Sequence, residues 1–150
     1  MEKQYKNYNR NHDRKTSPID ELLSEVRKAK TLKEVFVPER YALPGGWAYL
    51  TAELLKKDAM NTNQLRKIFT QLKNIEGKID NARSEKLLPE QINEILLVMP
   101  QIAYARGRDL IPYDFYNLMK ECISQYKIKD KEDYKSFISF YTAVVAYSKL

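Results

Sequence analysis

The chain is short of the residue types on which enzyme and metal sites are usually built. Among 150 residues there is one cysteine and one histidine. A single cysteine excludes an internal disulfide and suits a reducing, cytoplasmic setting. Cys122 stands among Leu118, Met119 and Ile123, the surroundings of a core thiol rather than a nucleophile. His12 lies in a polar N-terminal stretch, which speaks against a histidine general base and a His-bearing metal site, and one Cys with one His cannot build a structural zinc site. With only 4 glycines and 6 prolines, the chain lacks the turn residues that a sandwich or barrel needs every 8–12 positions or so. No apolar run nears the roughly 18 residues of a membrane span, and the N-terminus has no apolar signal core. No P-loop is present, and Gly45-Gly46 is an isolated pair that fits no phosphate-binding fingerprint. Internal repeats and sustained heptads are missing too. The expectation is a non-enzyme with no catalytic residue, metal or cofactor.

What is present is apolar residues at 43% and charged residues at 31%, the latter above the usual share of roughly 25% and suited to a helix-rich surface. Lys and Arg (26) outnumber Asp and Glu (20), a net charge of +6. That balance favours an anionic partner: nucleic acid, an acidic protein or a membrane surface. The length is that of one ordinary domain. Residues 1–17 are polar and aperiodic, with Lys3, Lys6, Arg10, Arg14 and Lys15 against Glu2 and Asp13. They read as a disordered basic tail. Tyr5 and Tyr8 lie among those charges, placed to stack on bases or merely solvated with the rest.

Residues 18–150 read as one compact all-α bundle of about five to six helices. Ser17 is an N-cap candidate with Pro18 at the first helical position, and Ile19, Leu22, Leu23 and Val26 carry the helix to about Lys30. Val35, Phe36 and Val37 suit a short extended piece, and Pro38, Pro44, Gly45 and Gly46 break any helix there. A second helix starts near Trp47 and runs to about Ala59. The third is capped by Asn61 or Thr62 and carries the stripe Leu65, Ile68, Phe69, Leu72, Ile75 and Ile79 to about Ala82. At 100° per residue, Arg66 and Lys73 share one wet flank of that stripe, and Lys67 and Lys78 share the other. Pro89 opens a fourth helix that Pro100 must kink or divide, with Gly107 as a natural stop. A fifth begins near Pro112. The sixth follows Asp130 and has an apolar arc of about half its circumference, wider than a surface helix needs. It lies deep in the bundle or meets a partner.

The carboxylate pairs Glu21/Glu25 and Glu76/Asp80 each have a Lys or Arg nearby, so they read as a salt-bridged surface rather than a cation site. The segment Ala103-Tyr104-Ala105-Arg106-Gly107-Arg108-Asp109 puts two arginines at a helix end. There they can grip phosphates or pair internally with Asp109 or Asp114.

Three stretches together resemble one family: Asn61-Thr62-Asn63-Gln64-Leu65-Arg66-Lys67-Ile68-Phe69, Ala103-Tyr104-Ala105-Arg106-Gly107-Arg108, and Phe137-Ile138-Ser139-Phe140-Tyr141-Thr142-Ala143-Val144-Val145-Ala146-Tyr147. In this order, in a basic helical chain, they look like the small subunit of the type III-A CRISPR effector, the Csm complex. Tyr41-Ala42-Leu43-Pro44-Gly45-Gly46-Trp47-Ala48 adds to the likeness, which spans roughly residues 35–150. The family usually has a small residue where Arg106 stands and a Ser or Thr where Asn63 stands. The resemblance implies a non-catalytic subunit of an antiviral ribonucleoprotein. Copies of it line the guide–target duplex channel, touch the target RNA backbone irrespective of sequence, and pack on other Csm subunits and on each other. When isolated, a homodimer is compatible with such a chain. Guide pairing supplies specificity, so the protein needs only to hold phosphates and duplex shape. The residues carried over as RNA contacts are Gln64, Arg66, Lys67 and Lys73, with Arg106 and Arg108. The alternative is a helical adaptor that binds proteins without touching RNA, suggested by the wide apolar face of the last helix.

Overall fold

A computed structural model describes residues 16–57 and 62–150. Residues 1–15 of the basic tail, with Tyr5, Tyr8 and His12, and the Asn61 cap lie outside the described residues. The fold is all-α. In chain order the helices are α1 (Asp20–Lys28), α2 (Pro38–Tyr41), α3 (Trp47–Lys57), α4 (Thr62–Asp80), α5 (Pro89–Leu96), α6 (Val98–Gly107), α7 (Tyr113–Cys122) and α8 (Lys131–Tyr147). Among the described residues one 3-10 turn, Leu32–Glu34, lies between α1 and α2.

α8 is the axis of the bundle. It packs on α3, on α4 and on the 3-10 turn. Its wide apolar arc is covered by the chain itself: Tyr134, Phe137, Ile138, Phe140, Tyr141 and Val144 are all buried. Phe36 stacks on Phe140 with centroids 4.5 Å apart, and Tyr41 meets the same ring edge-on at 5.7 Å. Two tyrosine hydroxyls cross from α8 to α4. Tyr134 donates to the Leu72 carbonyl at 2.7 Å and Tyr141 to the Leu65 carbonyl at 3.0 Å. Each buried O–H therefore has a partner, as burial demands.

The start of α8 is pinned by two aspartates. Asp130 is the N-cap and accepts from the Asp133 N–H at 2.9 Å. Asp133 is fully buried, and its carboxylate accepts from the backbone N–H groups of Lys33 (3.0 Å), Lys129 (3.0 Å) and Asp130 (3.3 Å). These contacts tie the 3-10 turn to α8. The Lys33 ammonium pairs with Asp130 at 2.5 Å.

Several boundaries differ from the sequence reading, for local reasons. Residues 35–37 do not form an extended piece. Val35 closes the 3-10 turn, and Val37 is extended (φ −104°, ψ 138°), as a residue before proline favours. The first helix begins at Asp20, because Ser17 forms a turn whose carbonyl takes the Asp20 N–H while the Asp20 carboxylate takes the Ser17 N–H. The fourth helix is divided rather than kinked, and the break falls at Leu97, ahead of Pro100. Proline has no N–H for the carbonyl four residues back, at Leu96, and its ring crowds that carbonyl. Gly107 is helical, and the left-handed residue that stops α6 is Asp109 (φ 62°). Asp109 ends the helix in the 6→1 pattern, with the Leu110 N–H on the Ala105 carbonyl at 2.9 Å. The carboxylate pairs behave as a salt-bridged surface: Glu76 meets Lys73 at 2.8 Å, Asp80 meets Lys135 at 2.8 Å, and Glu25 meets Arg40 at 3.4 Å.

Candidate nucleic-acid interface

α4 and α6 lie side by side and antiparallel, which brings the start of α4 to the end of α6. Between them is a groove of about 400 Å³ whose walls include Gln64, Lys67 and Gln71 from α4, and Pro100, Gln101, Tyr104 and Arg108 from α6, with Leu110 just beyond it. A shallower extension of about 280 Å³ continues past Asn74 and Lys78 to Glu94 and Leu97. Gln71 and Gln101 border both, joined by a 2.6 Å amide–amide hydrogen bond. At 1.5 Å per residue, the polar flank from Gln64 to Lys78 is roughly 20 Å long.

Three of the six residues carried over as RNA contacts meet here, and three do not. Gln64, Lys67 and Arg108 share the groove. Arg106, beside Arg108 in sequence, has partners within the chain. Its guanidinium donates to the Ile111 carbonyl and pairs with Asp109 at 2.7 Å. It clasps the turn that ends α6, one of the internal pairings open to it from sequence. Arg66 and Lys73 stand on the opposite flank of α4, outside the groove. Arg66 is exposed and has no ion pair among the described residues, whereas Lys73 is paired with Glu76. Lys67 is exposed and likewise free of an ion pair among the described residues. At the far end of the flank Lys78 is neutralised by Glu94 at 2.7 Å. The unneutralised positive charge thus gathers at the Lys67–Arg108 end.

Gln71, Asn74, Gln101 and Tyr104 also border the groove, and the sequence analysis counts none of them among the RNA contacts. The first two repeat at helical spacing with Gln64, Lys67 and Lys78, so the polar flank of α4 was open to detection. Gln101 and Tyr104 were hidden, because their place depends on how α6 docks. Tyr104 is 67% exposed, and the Arg108 guanidinium lies over its ring at 5.7 Å and donates to its hydroxyl at 3.3 Å.

Burial pushes the Cys122 thiol far above its usual range, which keeps it protonated and unreactive. Among the described residues no group of three or more His, Cys, Asp or Glu side chains is placed to hold a metal ion, and no helix is long and apolar enough to cross a membrane. A family model described as Csm2 Type III-A matches residues 43–150. No curated protein and no solved structure matches the chain.

Proposed function

The chain belongs to the Csm2 Type III-A family and is a small subunit of the type III-A Csm effector complex of CRISPR defence, and from that premise we propose that it works there without catalysis, as a cytoplasmic RNA-gripping subunit. Its ligand is the backbone of the target RNA within the guide–target duplex channel. The observation that carries this reading is the convergence of Gln64, Lys67 and Arg108 on one groove with no acidic residue among its walls. Phosphates bind where Lys and Arg are unneutralised, and each such contact releases counterions. Lys67 and Arg108 hold phosphates from inside the groove, and Gln64 donates to a backbone oxygen. Arg66 and Lys73, on the other flank of α4, reach a second stretch of backbone or the adjoining duplex. Arg106 acts at one remove, by fixing the turn that carries Arg108. Other Csm subunits and further copies of this chain pack around the same bundle.

Binding of the full chain to single-stranded RNA, followed across salt, tests this. Affinity should fall steeply with salt, and Lys67→Ala with Arg108→Ala should lower the logarithmic slope by about 1.4, at roughly 0.7 per contact to a single strand. A slope that the double variant leaves unchanged would refute the assignment. The rival reading, an adaptor that binds only proteins, drew on the width of the α8 apolar face, and that face is filled by the bundle itself.

A further inference from the structure

We infer that the α4–α6 groove holds an unpaired nucleobase as well as phosphates, with Tyr104 as its stacking platform. The inference rests on the RNA-binding reading above and adds to it a second kind of contact. A lone exposed tyrosine means little, because much of any protein surface is apolar. Tyr104 differs from Tyr126, also exposed, in its surroundings. The Arg108 guanidinium lies over one face of its ring and donates to its hydroxyl, which favours one orientation of the side chain. No other aromatic ring packs on it among the described residues. Its neighbours along α6 are Ala103 and Gly107, and a Cβ built at Gly107 would meet nothing within 4 Å. Space is therefore open beside the ring. The groove it borders, about 400 Å³, falls in the range of roughly 300–1,000 Å³ usual for small-molecule sites.

The chemistry around the ring suits a base. Aromatic rings and guanidinium planes stack on unpaired bases of any identity. The Gln71 and Gln101 amides, bonded to each other across the groove, offer donors and acceptors to a base edge once that bond is exchanged. Lys67 and Arg108 lie where the flanking phosphates would run. A groove that served phosphates alone would have no use for an exposed ring propped by an arginine. Because stacking accepts every base, the site adds affinity for unpaired strand without adding sequence preference.

The experiment compares two ligands for the full chain: a ten-nucleotide oligouridylate, and an abasic oligomer with the same ribose–phosphate backbone. Wild type should prefer the base-bearing strand by about tenfold, a typical stacking increment. Tyr104→Ala should bind both strands equally, at the affinity of the abasic one and with an unchanged salt slope. Tyr104→Phe and Tyr104→Trp should keep the preference. Equal binding of both strands by wild type, or a preference that survives Tyr104→Ala, overturns the inference and leaves the phosphate reading intact. No binding of either strand at low salt overturns both.

Discussion

Helix α4 has tyrosines on two sides, and the two sets are treated in opposite ways. On its inner side Tyr134 and Tyr141 are buried, with their hydroxyls on the α4 carbonyls of Leu72 and Leu65. Across its outer flank Tyr104 stands in water, with its hydroxyl turned to Arg108 rather than to a carbonyl. The inner tyrosines fasten the axis of the bundle. The outer one fastens nothing, and its removal leaves no buried group without a partner. The two sets differ in what the hydroxyl meets, a backbone carbonyl on the inner side and an exposed guanidinium on the outer. The two regions should also respond independently: damage inside should cost stability and spare RNA binding per folded molecule, and damage outside should do the reverse.

The largest break in that comparison should come from Phe137→Ala. Phe137 is fully buried, and its ring lies 6.0 Å from that of Phe36 and 6.4 Å from that of Tyr141. Removing such a ring typically costs about 3–5 kcal/mol through lost transfer energy and a residual cavity. Urea unfolding should show that loss, with the salt slope of RNA binding unchanged at low denaturant. A loss under 1 kcal/mol would mean that the aromatic cluster is not the keystone.

A smaller and more selective test removes only oxygen atoms. Tyr134→Phe and Tyr141→Phe should each cost about 1 kcal/mol, the net value of one buried hydrogen bond. They should also change the response to base. Burial raises both hydroxyls above the ordinary tyrosine value of 10.0, so the folded state favours the protonated form. The stabilisation is fully present below about pH 10 and is lost as pH rises toward the folded values. The double Phe variant should therefore lose less stability than wild type above pH 10. Equal slopes there would show that other groups govern alkaline unfolding. Tyr104→Phe should alter neither the stability nor its pH dependence.

Much of this division was legible in the sequence, and what was not has a physical cause. The α4 stripe from Leu65 to Ile79 and the broad arc of α8 are periodic, so their burial could be read from spacing alone. The two flanks of α4 follow from the same geometry. The meeting of Gln64 with Arg108 could not be read, because it depends on α5 and α6 folding back antiparallel along α4. Asp133 was missed for another reason. In sequence it is one more acid in a charged stretch, and the Lys33 N–H that its carboxylate takes, beside those of Lys129 and Asp130, comes from 100 residues away. Arg106 was ambiguous, since an arginine at a helix end can turn outward or clasp its own turn, and its contacts with Asp109 and the Ile111 carbonyl appear only in the fold.

The smallest expected effect sharpens the comparison at the outer edge. From sequence Gly107 looks like the residue that α6 cannot lose, since glycine usually supplies the left-handed stop. In the fold Gly107 is the last helical residue, and an added Cβ has free space. Gly107→Ala should therefore stabilise the chain by a few tenths of a kcal/mol, less than the roughly 0.5–1 kcal/mol of a mid-helix site because the gain is made at a fraying end. The left-handed position belongs to Asp109, at φ 62°, where a side chain without local hydrogen-bonding capacity is strained. Asp109→Ala should cost about 1 kcal/mol, most of it backbone strain, because the lost ion pair to Arg106 is exposed on the aspartate side and contributes little. Thermal unfolding of the two variants should move in opposite directions, whereas a glycine-stopped helix would reverse both signs. The pair also probes the ligand. Gly107 lies one turn from Tyr104, so an alanine there that raises the melting temperature yet weakens RNA binding would place the RNA against bare helix backbone, within reach of the stacking ring.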